Sequence, residues 1–118
     1  MGDECIKSEH NNDMSLKTGG EMIGIRGEYQ GVKIPIGRGI SLGRDPETAQ
    51  LVFNNQKVSR QHCSITFEEE TETYYVLDYS QNGIMRENGA RMPTGEMCCF
   101  NRGDIIYIGN VDTAFRFL

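Results

Sequence analysis

Tryptophan is absent from the 118 residues, proline occurs three times and histidine twice, and long apolar runs are missing. Each shortage excludes something. Without tryptophan, a core has to be assembled from Ile, Leu, Val, Phe and Tyr. No apolar stretch approaches the roughly 20 residues of a membrane-spanning helix, so no direct membrane contact is expected of this segment. None of the cysteines forms a Cys-x-x-Cys pair, and His10 and His62 bring no second ligand cluster, so neither a metal nor another cofactor is expected. A Walker-type glycine loop, paired carboxylates at a catalytic spacing and a nucleophile–base–acid series are also missing, which argues against an enzyme. Basic residues are in deficit as well, with 12 Lys and Arg against 17 Asp and Glu and a net charge of −5. Such a surface does not suit nucleic acid, because phosphate contacts require a basic footprint.

Cysteine is present four times, as Cys5, Cys63, Cys98 and Cys99. These read as free thiols behaving as small hydrophobes. With no secretory leader pattern at the start of the sequence, they point to the cytoplasm.

Glycine is abundant, at 14 residues, and helix-forming runs are few, so a turn-rich β protein is favoured over a bundle. Residues 1–20 are polar, mixed in charge and aperiodic, which predicts a flexible tail or linker ending at Gly19-Gly20. From residue 21 to 118 short strands alternate with turn signals, predicting one domain. Met22–Ile25 reads as the first strand. Val32, Ile34 and Ile36 alternate with polar or turn residues as one face of the second. Ile40–Gly43 and Leu51–Phe53 follow. Cys63, Ile65 and Phe67 share one face of the strand that runs to Glu68, and Thr73–Asp78 is rich in the aromatic and β-branched residues of a central strand. Between them Glu68, Glu69, Glu70 and Glu72 form an acidic hairpin, read as a solvated turn. Ile84–Glu87, Glu96–Phe100, Ile105–Ile108 and Ala114–Leu118 complete about eleven short strands without a convincing helix. Strands of this length must bury one face against a second sheet, so the fold class is an all-β, two-sheet β-sandwich.

Three polar islands interrupt these strands: Gly43-Arg44, Ser59-Arg60-Gln61-His62 and Ser80-Gln81-Asn82-Gly83. A guanidinium such as Arg44 offers a rigid fork of donors that matches two oxygens of a phosphate. Ser59 and Arg60 stand before a strand, where a hydroxyl, a backbone N–H and a second cation can serve the same anion. His62 lacks a nucleophile or acid at a catalytic spacing, so it reads as a pin for its loop. Asn82-Gly83 is a hairpin signal, and the Asn82 amide can both donate to and accept from an extended peptide. Read singly, each has an ordinary explanation: a solvated arginine, a loop serine bonding its own backbone, a turn.

Taken in order, Gly43-Arg44, Ser59-x-x-His62 fifteen residues after Arg44, Asn82-Gly83, and Gly103-Asp104 before an apolar strand, the chain resembles the forkhead-associated (FHA) domain family over Met22 to Leu118. The resemblance implies an eleven-stranded sandwich of the FHA/SMAD-like kind that binds phosphothreonine peptides through loops at one end. By motif, Arg44 and Ser59 resemble the phosphate ligands and Arg60 a second phosphate or peptide contact. Asn82 resembles the holder of the peptide backbone. Gly43, His62 and Gly83 resemble structural supports of the site, Gly43 by letting Arg44 leave its strand at the required angle. Two positions depart from the family pattern: Gln81 replaces a Ser or Thr that donates to the phosphate, and Ile84 replaces a Thr. Gln81 and Ser80 are therefore assigned weak secondary contacts. The implied partner is a protein carrying phosphothreonine, and hence a Ser/Thr kinase stands upstream. The alternative is a phospho-independent scaffold of the same fold.

Overall fold

The computed structural model describes residues 19–118, so the expected tail, except for its last two residues, lies outside the described residues. Ten strands are formed: β1 (Gly20–Arg26), β2 (Lys33–Gly37), β3 (Gly39–Gly43), β4 (Leu51–Val52), β5 (Cys63–Glu68), β6 (Thr73–Asp78), β7 (Ile84–Arg86), β8 (Met97–Phe100), β9 (Ile105–Ile108) and β10 (Ala114–Phe117). They make two five-stranded sheets, β2-β1-β10-β9-β7 and β4-β3-β5-β6-β8. Within these sheets only β3 and β4 pair in parallel. No helix occurs among the described residues. The predicted two-sheet architecture is what the chain adopts, with ten named strands and two isolated bridges, Met85–Arg91 and Gly24–Gln30, at the margins.

Period-2 patterning explains the sheet faces. Ile34 and Ile36 of β2 and Cys63 and Ile65 of β5 are buried, while Lys33, Pro35 and Thr66 between or beside them face water. Val32 does not join that face: it lies ahead of β2 and is 46% exposed, because the chain is still completing the turn in which its N–H bonds Tyr29 O.

With no indole available, phenyl and phenol rings fill the space between the sheets in two clusters. Tyr74 of β6 stacks on Phe117 of β10 at 4.4 Å and tilts against Phe67 at 4.6 Å. Its hydroxyl accepts from Glu21 N–H at 2.9 Å and lies 2.7 Å from the carbonyl of Leu118, so one buried side chain ties the β6 sheet to the ends of β1 and β10. Burial pushes the Tyr74 phenol pKa up, with the Glu21 backbone bond acting in the opposite sense. The second cluster, Tyr29, Phe53 and Phe115, meets largely edge-on, with Tyr29–Phe53 at 5.3 Å and Phe53–Phe115 at 6.1 Å.

Strand direction sorts the loops. The segments after β3, before β5, after β6 and after β9 gather at one end, and the acidic β5–β6 hairpin and the β8–β9 turn lie at the other. Two expectations are corrected here. Asn82-Gly83 is not a hairpin turn, since β6 and β7 belong to different sheets and only Gly83 takes a positive φ, +84°. Cys63 and Cys98 are free, but Cys99 is disulfide-bonded, so the four cysteines are not all thiols.

Candidate functional site

The three polar islands meet, and a short set of hydrogen bonds between distant residues holds them together. Arg44 leaves the end of β3 with its N–H bonded to Ser59 O at 3.0 Å, and Asp45 N–H bonds Arg60 O at 3.2 Å. The β3–β4 and β4–β5 loops therefore run side by side through their backbones. A Cβ on Gly43 would collide with the Arg60 carbonyl, so the glycine is required for this close approach. That is a different reason from the exit angle expected of it.

The Arg44 side chain is oriented before any ligand arrives. Its Nε donates to Val58 O at 2.7 Å, which fixes the plane of the guanidinium and leaves both terminal nitrogens without an internal acceptor. Among the described residues no carboxylate comes within ion-pair distance of Arg44, Lys57, Arg60 or Arg91, all of which stand on this end of the sandwich. A half-buried cation with unused donors attracts an anion, and the fork geometry favours a phosphate or carboxylate.

Ser59 is held by its own loop partner. Its N–H donates to His62 Nδ1 at 2.9 Å, and its Oγ accepts from Gln81 N–H at 3.1 Å. The hydroxyl hydrogen of Ser59 remains available to donate, as does the N–H of Arg60, which makes no internal bond. Arg60 itself is exposed. Because Nδ1 of His62 accepts, Nε2 carries the proton and donates to Gly83 O at 3.0 Å. His62 is fully buried, and burial lowers its pKa against the opposing influences of the Gly83 bond and the Asp78 carboxylate 4.0 Å away. A neutral imidazole is thus the form that satisfies both neighbours, and the ring links the Ser59 loop to the Gly83 loop as a pin.

The third island closes the set. Asn82 is exposed, and its Nδ2 donates to Lys57 O at 2.8 Å, which leaves its side-chain oxygen without an internal donor. Gly109 N–H and His62 Nε2 both reach the Gly83 carbonyl. Ser80, expected to supply a weak outward contact, is turned inward: its Oγ donates to Asp78 Oδ1 at 2.6 Å and accepts from Gly83 N–H at 2.8 Å. It shapes the loop and presents no hydroxyl to a ligand. Gln81 uses its backbone N–H on Ser59 and its carbonyl on Arg91, while its side chain is exposed.

The structure therefore brings Arg44, Ser59, Arg60 and Asn82 to one apical surface and places Gly43, His62 and Gly83 beneath it. Sequence reasoning missed Asp78, the buried carboxylate that anchors Ser80, and Arg91, which lies against Gly83. Asp78 ends a strand and reads as an ordinary terminal acid. Arg91 falls in a turn region where nothing in local spacing connects it to Gly83.

A family model described as FHA domain matches residues 40–109. No curated protein sequence matches the chain. Among solved structures, the MEK1 FHA domain is similar with a TM-score of 0.71 and 23% identity, over 86% of this chain and 89% of that one. The same domain in complex with a phosphothreonine peptide of HOP1 gives a TM-score of 0.68 and 25% identity, over 86% and 97%. EmbR of Mycobacterium tuberculosis, solved with a low-affinity phosphopeptide, gives 0.67 and 23%, over 91% of this chain and 26% of that one.

Proposed function

The chain belongs to the FHA domain family, and from that premise we propose that it is a phosphopeptide-binding module that reads phosphothreonine in a partner protein. The observation that carries the reading is the pre-set pair of Arg44 and Ser59. The Arg44 guanidinium is locked by Val58 O with its terminal donors unused, and the Ser59 hydroxyl is anchored by Gln81 N–H with its own hydrogen unused. Solved relatives in complex with phosphopeptides support the ligand class.

A phosphothreonine ester carries about −1.5 to −2 charge near neutral pH and three acceptor oxygens. Arg44 would take two of them through its fork, and Ser59 Oγ–H with the Arg60 N–H would take the third. Each charge-assisted bond contributes about 1.5–3 kcal/mol. An unphosphorylated threonine leaves the Arg44 donors unmatched, so the phosphate decides binding. Asn82, with Nδ2 committed to Lys57 O, would accept from the peptide main chain through Oδ1. The network beneath would move little on binding, because its bonds are already made. No group of the site is arranged for bond cleavage, so we read the module as a binder and not an enzyme. A Ser/Thr kinase acting on the partner is the implied upstream activity.

The test is titration calorimetry with a phosphothreonine peptide, selected from a degenerate library, and its unphosphorylated twin. The phosphopeptide binds and the twin does not, and Arg44→Ala weakens binding at least about tenfold, the equivalent of one lost charge-assisted bond, while lowering the melting temperature only slightly through the lost bond to Val58 O. Retained binding in Arg44→Ala sinks the assignment of that residue. A library that enriches no sequence favours a phospho-independent scaffold.

A further inference from the structure

The loop between β7 and β8 is fastened to the end of β6 through Asp78. Gly95 N–H donates to Asp78 O at 2.8 Å, and one residue earlier the Thr94 hydroxyl lies 3.5 Å from Asp78 Oδ2. The other carboxylate oxygen holds the Ser80 hydroxyl at 2.6 Å, and Ser80 Oγ accepts in turn from Gly83 N–H. Asp78 is fully buried, and among the described residues no Lys or Arg comes within ion-pair distance of it; its neighbour at 4.0 Å is the neutral His62. One buried negative charge thus joins the loop that carries Thr94 to the island that carries Asn82. Thr94 itself is exposed, in a turn between Pro93 and Gly95, whose φ is +83°. Arg91 stands three positions before it, and Arg-x-x-Thr is a charge pattern by which a basophilic Ser/Thr kinase selects its hydroxyl.

We infer that Thr94 is a phosphorylation site of this chain, and that a phosphoryl group there loosens the ligand-reading end by repelling the Asp78 carboxylate. The kinase moves the γ-phosphoryl group of ATP to Thr94 Oγ1; the hydroxyl gives up its proton to the kinase and ADP leaves. A group that donated to Asp78 becomes an ester oxygen with lone pairs alone, and about −1.5 to −2 of charge stands beside a carboxylate that has no cation to share. The turn relieves this repulsion by swinging outward, which breaks the Gly95 bond and admits water to Asp78. Ser80 and Gly83 then lose their fixed support, and with them Asn82 and the Gln81 N–H that holds Ser59. The effect on ligand affinity rests on the phosphopeptide reading; the site of modification does not.

The test treats the full chain with ATP and a kinase that requires arginine three positions before its target, and locates the phosphate by mass spectrometry. Thr94 should be modified in the folded chain, and Thr94→Val should remove the signal. A folded chain left unmodified, when a peptide of residues 88–98 is modified, overturns the site. Anisotropy with a labelled phosphothreonine peptide should show binding weakened about tenfold in the modified chain and about threefold in Thr94→Glu, which carries less charge. Thr94→Val should stay within about twofold, since a bond of 3.5 Å holds little. In an Asp78→Asn background Thr94→Glu should cost less than about twofold more. An equal loss in both backgrounds removes carboxylate repulsion as the cause and overturns the switch, as does unchanged affinity in the modified chain. Self-association of the modified chain, read by sedimentation, makes modified Thr94 a ligand for a second copy and overturns the inward effect. Melting gives a readout free of any peptide: modification and Thr94→Glu should lower the melting temperature, and Thr94→Val should lower it less. If no phosphothreonine peptide binds the unmodified chain, the phosphopeptide reading fails, and the melting series still decides whether charge at Thr94 loosens this end.

Discussion

The two ends of this sandwich are built by different rules. At the hairpin end the acidic turn between β5 and β6 is local: Glu70 N–H bonds Glu68 Oε2, two positions away. Arg102 of the β8–β9 turn reaches Glu72 at 3.4 Å in an ion pair with the arginine side chain 55% exposed. At the other end Arg44 reaches Val58, Gln81 reaches Ser59, His62 reaches Gly83 and Asn82 reaches Lys57, links that span 14, 22, 21 and 25 positions. The first end only has to reverse the chain. The second has to hold particular atoms of three loops in one arrangement, and it does so with side-chain-to-backbone bonds that survive independently of any ligand. Charge is divided in the same way, with free cations at the networked end and four glutamates at the local one.

The contrast is broken most severely by removing the pin. His62→Ala leaves the Ser59 N–H unpaired, removes one of the two donors to Gly83 O and opens a buried cavity, and urea unfolding should show a loss of about 3–5 kcal/mol. Glu69→Ala in the opposite hairpin should stay within about 0.5 kcal/mol. A similar effect from both would mean that the network is ornamental.

Acid should act on the same pin more gently. The folded pKa of His62 is lowered, so between it and the unfolded value near 6.5 the unfolded chain binds the extra proton. The contribution of His62 is therefore fully present above about pH 6.5 and declines as pH falls toward the folded pKa. Protonation would also set a donor on Nδ1 against the Ser59 N–H. Melting curves from pH 7.5 to 5 should fall, and a His62→Gln variant should flatten that part of the profile. A profile unchanged by the substitution contradicts the assignment.

Gln81→Ser sharpens the site without touching the pin. It replaces a long exposed amide with the short hydroxyl that the family pattern carries at this position, and phosphothreonine affinity should rise about threefold, less than a full charge-assisted bond. Weaker binding would show that the Gln81 amide already serves the ligand. Arg102→Ala should act weakly as well: it removes the exposed pair with Glu72 and should change stability by less than about 1 kcal/mol in urea unfolding, with no change in peptide affinity.

Much of the frame was legible because it rests on local patterning. The alternation in β5 and β2 marked the buried faces, and glycine- and asparagine-containing turns marked the strand ends. Arg44, Ser59 and Asn82 could be singled out because each is a polar residue standing where a strand stops. What escaped reading depends on contacts between distant residues. Ser80 looks outward in the sequence and faces Asp78 in the fold. Asn82-Gly83 has the composition of a hairpin but carries the chain from one sheet to the other, so only its glycine needs the left-handed conformation. Gly43 was read for the angle of its strand, yet its small size serves the passage of the Arg60 carbonyl. Val32 fits the period of β2 and falls outside the strand because the preceding turn uses its backbone. Loop-to-loop bonds leave no spacing signal, which is why Arg91 was also missed.

The most direct measurement is a ¹⁵N–¹H titration of the labelled chain with a phosphothreonine peptide, read residue by residue at both ends. The account predicts that the amides of Arg44, Ser59, Arg60 and Asn82 shift in a saturable way, while those of Glu68 to Glu72 stay in place. Shifts centred on the acidic hairpin, or equal shifts with the unphosphorylated twin, would contradict it.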